Sequence, residues 1–167
     1  PEEINRVVTD SISDLLLTSC RDADEQLLRE GVPAGRIRFV GNVMIDSLAM
    51  LLPRAGTSPV PRDLSLEDRP FVLVTLHRPS NVDQPDRLLL LLQNLATVAR
   101  QWPVAFPVHP RTRKMLAQAG LLTALPGLIL IEPLGYLDFL ALETRAALVI
   151  TDSGGVQEET AYLGVPC

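Results

Sequence analysis

From Phe71 onward, short apolar runs alternate with helix-like stretches four times, and this rhythm limits the folds open to the chain. Phe71 to Leu76, Val104 to Val108, Leu128 to Ile131 and Ala147 to Thr151 are brief and apolar, the last rich in β-branched residues, as buried strands are. Helical patterns follow each of them: Asp86 to about Gln101, Arg111 to Ala119 before Gly120, Tyr136 to Arg145, and Val156 to Leu163 before Gly164 and Pro166. Consecutive strand–helix units dictate a parallel sheet with helices on both faces, a Rossmann-like α/β fold. In such sheets ligands gather at the carboxyl ends of the strands. The polar residues cluster there: His77 and Arg78 after the first strand, His109 and Arg111 after the second, Glu132 after the third, Ser153 after the fourth.

The residues ahead of this block read similarly. Glu2 to Ile12 can be helical, with Pro1 at its opening and acids in its first turn. Leu15 to Ser19 is a strand candidate, Asp22 to Glu30 a helix stopped by Gly31 and Pro33, and Ile37 to Val40 a second strand before a Gly41-Asn42 turn. Met44 to Leu52 reads as a short helix. Pro53 to Pro70, with four prolines and Gly56, reads as a connector, and His77 to Pro85 as a polar loop.

Composition narrows the function. A hydrophobic content of 47% suits a well-buried globular chain of 167 residues, and no apolar stretch approaches the roughly 20 residues of a membrane span. The leucines from Leu88 to Leu92 are one helix face. A net charge of −5 argues against a general nucleic-acid surface. Lys114 is the only lysine among 15 basic residues, so anion binding falls to arginine. Cys20 and Cys167 are too few and too far apart for a disulfide framework or a zinc site; a reducing cytoplasm is expected, with Cys20 buried and inert. Neither histidine pairs with acids or cysteines at metal-ligand spacing, so no metal is expected.

The last stretch, TDSGGVQEET, carries most of the chemistry. A strand, a glycine turn and a helix aim backbone N–H groups and the positive end of a helix dipole at one spot, where anions bind. Gly154 and Gly155 let a phosphate approach the backbone, and the Ser153 hydroxyl adds a donor. Glu159, about 6 Å farther along the axis at about 1.5 Å per residue, would repel phosphate but could accept from a sugar diol. Diphosphate on the glycines and ribose on Glu159 spell a nucleotide; an ordinary βα turn with a polar first turn is the other reading. His77, at the ligand edge, can exchange a proton near neutrality or simply bond a loop carbonyl. His109 is open between site and structure. Phe139 packs in the core by default, with stacking on a base as the alternative. Glu2 and Glu3 are ordinary N-terminal helix acids by the same standard.

Six segments in this order, PEEINR (1–6), FVGNVMIDSL (39–48), VTLHRPSNVD (74–83), PVHPRTR (107–113), EPLGYLDFL (132–140) and TDSGGVQEE (151–159), resemble the central part of a non-hydrolysing UDP-N-acetylglucosamine 2-epimerase, a member of the two-domain GT-B fold group. The resemblance covers the whole chain. It implies that Ser153, Gly154 and Gly155 hold the diphosphate, Glu159 the ribose hydroxyls, and Leu134 and Phe139 the uracil. It further implies Glu2 as an acid/base group, with Glu3 as its alternate and Arg6 in support, and His77 as catalytically important. Arg78 and His109 match positions implicated in binding a second UDP-N-acetylglucosamine as activator. The chain departs from the pattern at Pro79-Ser80-Asn81, where many members carry an acid ahead of the asparagine.

The implied reaction interconverts UDP-N-acetylglucosamine and UDP-N-acetylmannosamine by elimination and re-addition of UDP, with no cofactor. The implied organisation places residues 1–41 at the end of a first Rossmann-like domain and 42–167 as most of a second, UDP-binding one, truncated at its C-terminal end. Pro1 in place of methionine makes the chain read as a piece of a longer protein, inactive alone and a homodimer when whole. A GT-B glycosyltransferase would share the nucleotide site but act on an acceptor. A hydrolysing epimerase would release UDP and N-acetylmannosamine, and a nucleotide-binding module would bind without turnover.

Overall fold

The computed structural model describes residues 2–118, 120 and 127–167, with the side chains of residues 111 and 118 left aside. The expected roles of Pro1 as a helix opener and Ala119 as a helix end lie outside the described residues. The chain divides into two compact units, Pro1–Ser47 and Leu48–Cys167.

The first unit holds α1 (Glu2–Ile12), β1 (Leu16–Thr18), α2 (Arg21–Arg29), a single 3-10 turn (Ala34–Arg36) and β2 (Ile37–Phe39). The two strands pair in parallel, Leu16 opposite Ile37 and Thr18 opposite Phe39. α2 ends as its sequence dictates: Gly31 takes φ +88°, and the Val32 N–H reaches back to the Leu27 carbonyl at 3.0 Å. That closure seats Val32 against Leu16, Leu27 and Ile37, the small core of this unit. Cys20 is exposed, contrary to expectation. It occupies the N-cap of α2, in the bend that follows β1.

In the second unit, α3 (Val43–Ala55) enters from the preceding residues and α4 (Val60–Asp63) follows. β3 (Val72–Thr75), β4 (Val104–Pro107), β5 (Leu128–Ile131) and β6 (Leu148–Thr151) make one parallel sheet in the order β5-β4-β3-β6. Its helices are α5 (Pro79–Val82), α6 (Pro85–Val98), α7 (Pro110–Gln118), α8 (Tyr136–Glu143) and α9 (Gly154–Leu163). Side chains alternate across the strands, as the pleat requires. Val72, Val74, Val104 and Phe106 face Leu88, Leu92 and Leu95 of α6, and Leu116 of α7. Leu73, Ala105 and Val149 face the opposite layer with Leu66, Phe71, Leu142 and Ala146. The expected sheet with helices on both faces is therefore the observed one.

Two expected irregular stretches are partly helical. α3 runs through Pro53 to Ala55, because Leu48 and Ala55, on either side of the proline, are both buried with Leu140 and Ala141 of α8. Burial at both ends outweighs the one backbone donor that proline removes. The loop after β3 contains α5, opened by Pro79 at its first position and anchored by buried Val82.

Candidate functional site

Strand order decides where a site can form. The chain steps outward from β3 to β4 to β5, then returns to pair β6 on the other side of β3. Reversals of this kind are where open parallel sheets bind their ligands. The register sets Thr75 opposite Thr151, so residues 76–78 and 152–154 emerge side by side.

Asp152 ties the two loops together. Its buried carboxylate accepts the backbone N–H groups of His77 (3.1 and 3.2 Å to its two oxygens) and Arg78 (2.9 Å), and the Asn81 amide (2.9 Å). His77 Nδ1 lies 2.8 Å from Asp152 Oδ1, and Arg78 Nε donates to the Asp152 carbonyl at 2.7 Å. Burial would raise this carboxyl. Bonds from Asn81, Arg78 and His77, with the imidazole alongside, outweigh burial and hold it below the usual aspartate range. An ionised Oδ1 at that distance requires the proton on His77 Nδ1, which makes Nε2 of the exposed ring the proton-exchanging atom. Neither Asp152 nor Asn81 stood out in the sequence as a site residue. Pro79, part of the departure from the family pattern, opens the short helix on which Asn81, the asparagine that the pattern keeps, delivers its amide to Asp152.

Ser153 is the N-cap of α9, and its Oγ accepts the Val156 N–H at 3.5 Å. Gly154 and Gly155 form the first helical turn instead of a separate turn, because the cap closes directly onto them. No neighbouring atom lies within 4 Å of where a Cβ on Gly154 would sit, so its backbone is open to a ligand. The free N–H groups of this first turn and the Ser153 hydroxyl hydrogen form the donor set that suits a phosphate.

The adjacent glutamates of α9 part company: Glu158 is exposed and Glu159 buried. Glu159 Oε1 accepts the Tyr136 hydroxyl at 2.8 Å. Burial and the Glu159 carboxylate both push the Tyr136 phenol upward, so it stays a donor. Glu143, at the end of α8, is wholly buried and faces the same Glu159 carboxyl. Tyr136 and Glu143 were not singled out from sequence. For Glu143 the available signal was an acid inside the apolar run LALE.

Leu134 and Phe139 are half-buried against the cluster containing Phe71 and Leu142. His109 ends the turn after β4, its carbonyl accepting the Arg113 N–H at 2.9 Å, and Arg113 pairs with Glu132 at 3.1 Å. In the first unit, Glu2 is exposed in the opening turn of α1. Arg6 bonds Glu3 at 2.6 Å, Asp10 at 2.8 Å and Glu30 at 2.6 Å. Its guanidinium lowers Glu3, and with help from Gln26 draws Glu30 down to about 2. His77, Arg78, Ser153, Gly154 and Glu159 thus share one edge of the second unit, whereas Glu2 and Arg6 belong to the first. Among the described residues, no group of three or more His, Cys, Asp or Glu could hold a metal ion, and no helix is long and apolar enough to cross a membrane.

A family model described as UDP-N-acetylglucosamine 2-epimerase matches residues 1–167. The UDP-N-acetylglucosamine 2-epimerase of Methanocaldococcus jannaschii is 41% identical over 175 residues, which is all of this chain and 48% of that protein. The UDP-2,3-diacetamido-2,3-dideoxy-D-glucuronate 2-epimerase of Pseudomonas aeruginosa is 43% identical over all of this chain and 46% of its own length. The crystal structure of the M. jannaschii enzyme in complex with UDP-GlcNAc and UDP superposes with a TM-score of 0.84, covering all of this chain and 48% of the other. That of the Neisseria meningitidis enzyme bound to UDP-GlcNAc gives 0.83 at 29% identity, covering 99% and 47%. The chain spans about half the length of the relatives it matches. With this coverage, and with the strand–cap–helix site in place, the chain belongs to the UDP-N-acetylglucosamine 2-epimerase family.

Proposed function

We propose that this chain carries the nucleotide-binding half of a non-hydrolysing UDP-N-acetylglucosamine 2-epimerase. The observation that carries the reading is the Asp152 knot, which holds a tautomerically defined histidine beside an open phosphate-type helix start. The diphosphate rests on the first turn of α9 and the Ser153 hydroxyl, the ribose diol on Glu159, and the uracil against Leu134 and Phe139. A hydrogen on sugar C2 is too weakly acidic to leave easily, so it departs as the C1–O bond to UDP breaks, giving a 1,2-unsaturated sugar. UDP then adds back at C1 and a proton returns to the opposite face of C2. The phosphate cradle stabilises the leaving diphosphate and keeps it in place for return. His77 Nε2 exchanges a proton at C2, and Glu2, with Arg6 in support, is the second acid/base group we assign.

Arg78 and His109 are the residues we assign to an activator UDP-N-acetylglucosamine. The whole protein is proposed to be a cytoplasmic homodimer, a setting that suits the exposed, unbridged Cys20 and Cys167. The P. aeruginosa relative favours a second substrate reading, a UDP-diacetamido-glucuronate processed by the same chemistry. The test is turnover of both sugar nucleotides in heavy water by the full-length enzyme. UDP-N-acetylmannosamine with deuterium at C2 is the expected product. Free N-acetylmannosamine plus UDP would make the enzyme hydrolysing, and turnover of the glucuronate alone would reassign the substrate. His77→Ala should retain UDP binding while kcat falls about 10²–10⁴-fold.

A further inference from the structure

Among the described residues of the second unit, Glu143 is the one wholly buried carboxyl whose two oxygens both lack a hydrogen-bond donor. The group facing it is another carboxyl, that of Glu159 on α9, which already accepts the Tyr136 hydroxyl. Helix α8 is apolar just ahead of Glu143, with Leu140, Ala141 and Leu142 all buried. The ionisable group that acts on it is Glu159 from α9, and Glu143 in turn acts on Tyr136 of its own helix. Two carboxylates cannot bond one another, and an unpaired buried charge is costly. A carboxylic acid at Glu143 resolves both problems, since its O–H can donate to Glu159.

We propose that Glu143 is a positioning residue of the nucleotide site: as a neutral acid it donates to Glu159 and, with the Tyr136 hydroxyl, fixes that carboxylate in the orientation that receives the ribose diol. The proposal rests on the assignment of Glu159 to the ribose. Glu143 touches no ligand. Its whole effect passes through Glu159, which keeps enough lone pairs for two sugar hydroxyls after accepting from two donors. Burial first, and the Glu159 charge second, push Glu143 up to about 8, which keeps the proton in place at neutral pH. Above that, Glu143 turns from donor into a second negative charge beside Glu159, and nucleotide affinity falls.

Titration calorimetry of the full-length protein with UDP at pH 7.5 and 9 tests this, in wild type, Glu143→Gln, Glu143→Leu and Glu159→Gln. Ionisations of UDP itself are common to all and cancel in the comparison. Wild type should lose up to about tenfold in affinity across this interval, as linkage to a single proton allows. Glu143→Gln keeps a neutral donor, so it should match wild type at pH 7.5 and escape the extra alkaline loss. Glu143→Leu, which fills the space without a donor, should be weaker at both pH values by about the same factor. An alkaline loss in Glu143→Gln equal to that of wild type would overturn the proposal, as would wild-type affinity and pH profile in Glu143→Leu. Glu159→Gln separates the two layers of the argument. If it binds UDP as wild type does, the ribose assignment fails and the proposal with it. If it weakens UDP tenfold or more while Glu143→Gln keeps the alkaline loss, only the role of Glu143 is refuted.

Discussion

Asp152 and Glu143 are acids in opposite electrostatic circumstances. Asp152 is surrounded by donors and held below its usual range, so its contribution to stability is complete above the unfolded value near 4 and is lost as pH falls through the lower folded value. Asp152→Asn keeps one acceptor oxygen but removes the charge that four donors address. It should cost about 1.5–3 kcal/mol of stability, flatten the acid limb of the unfolding curve, and lower kcat about 10²–10⁴-fold through the wrong His77 tautomer. Urea titrations at pH 3 to 7, with steady-state kinetics, check these outcomes. Glu143, raised to about 8 by burial and by Glu159, behaves in the reverse sense. Its contribution is complete below the unfolded value near 4.3 and declines as pH rises to about 8, by at most about 1.4 kcal/mol per pH unit. Glu143→Gln should remove that decline, which urea midpoints at pH 5 and 8 would show.

Among the elements, the strands follow the local pattern closely, since each apolar run supplies both faces of a buried strand by simple alternation. Their junctions with helices are less forgiving. Gly127, immediately before β5, has φ +87°, and a Cβ there would sit 2.8 Å from the Ala99 carbonyl oxygen and 2.9 Å from the Ala99 Cβ at the end of α6. Gly127 also accepts the Val104 N–H, at 3.4 Å, which fixes it to the start of β4. Gly127→Ala combines left-handed backbone strain with a backbone clash and should cost about 2–4 kcal/mol. Thermal unfolding should shift down by about 2–4 °C per kcal/mol. Unchanged stability would mean that the β5 edge moves freely to absorb a methyl group.

Across the whole molecule, the two units differ in how much core they own. The first relies on Leu16, Leu27 and Ile37 with Val32, while Ile4, Val7, Val8 and Ile12 of α1 and Leu15 and Leu17 beside and within β1 remain exposed. The second buries two layers against a four-stranded sheet. Opening free energy follows the apolar contacts an element makes. Hydrogen exchange on residues 1–167 should therefore release the amides of β1 and β2 at least about tenfold faster than those of β3 and β4. Equal protection would show that the first unit is sustained by something other than its own core. If turnover proceeds as proposed, with groups on both faces of C2, residues 1–167, which span 48% of the length of the M. jannaschii relative, should by themselves exchange no deuterium into C2.

Much of this architecture is legible in the sequence. Strand and helix order, the stop at Gly31 and the strand–cap–helix geometry of Ser153 to Glu159 all depend on spacing within a few residues, where backbone geometry alone decides the outcome, whereas of the leucines from 88 to 92 only Leu88 and Leu92 are buried and Leu90 is exposed. The helical run through Pro53 was not legible, since it depends on burial against α8, more than 80 residues away. Nor were the partners of Asp152, more than 70 residues distant, or the meeting of Glu143 with Glu159. A carboxylate on its own carries no sign of whether donors or another acid will face it. That depends on which strands become neighbours and how two helices pack. The same residue type thus becomes an ionised anchor at 152 and a proton-holding acid at 143, because the fold surrounds one with N–H groups and the other with hydrocarbon and a second carboxyl.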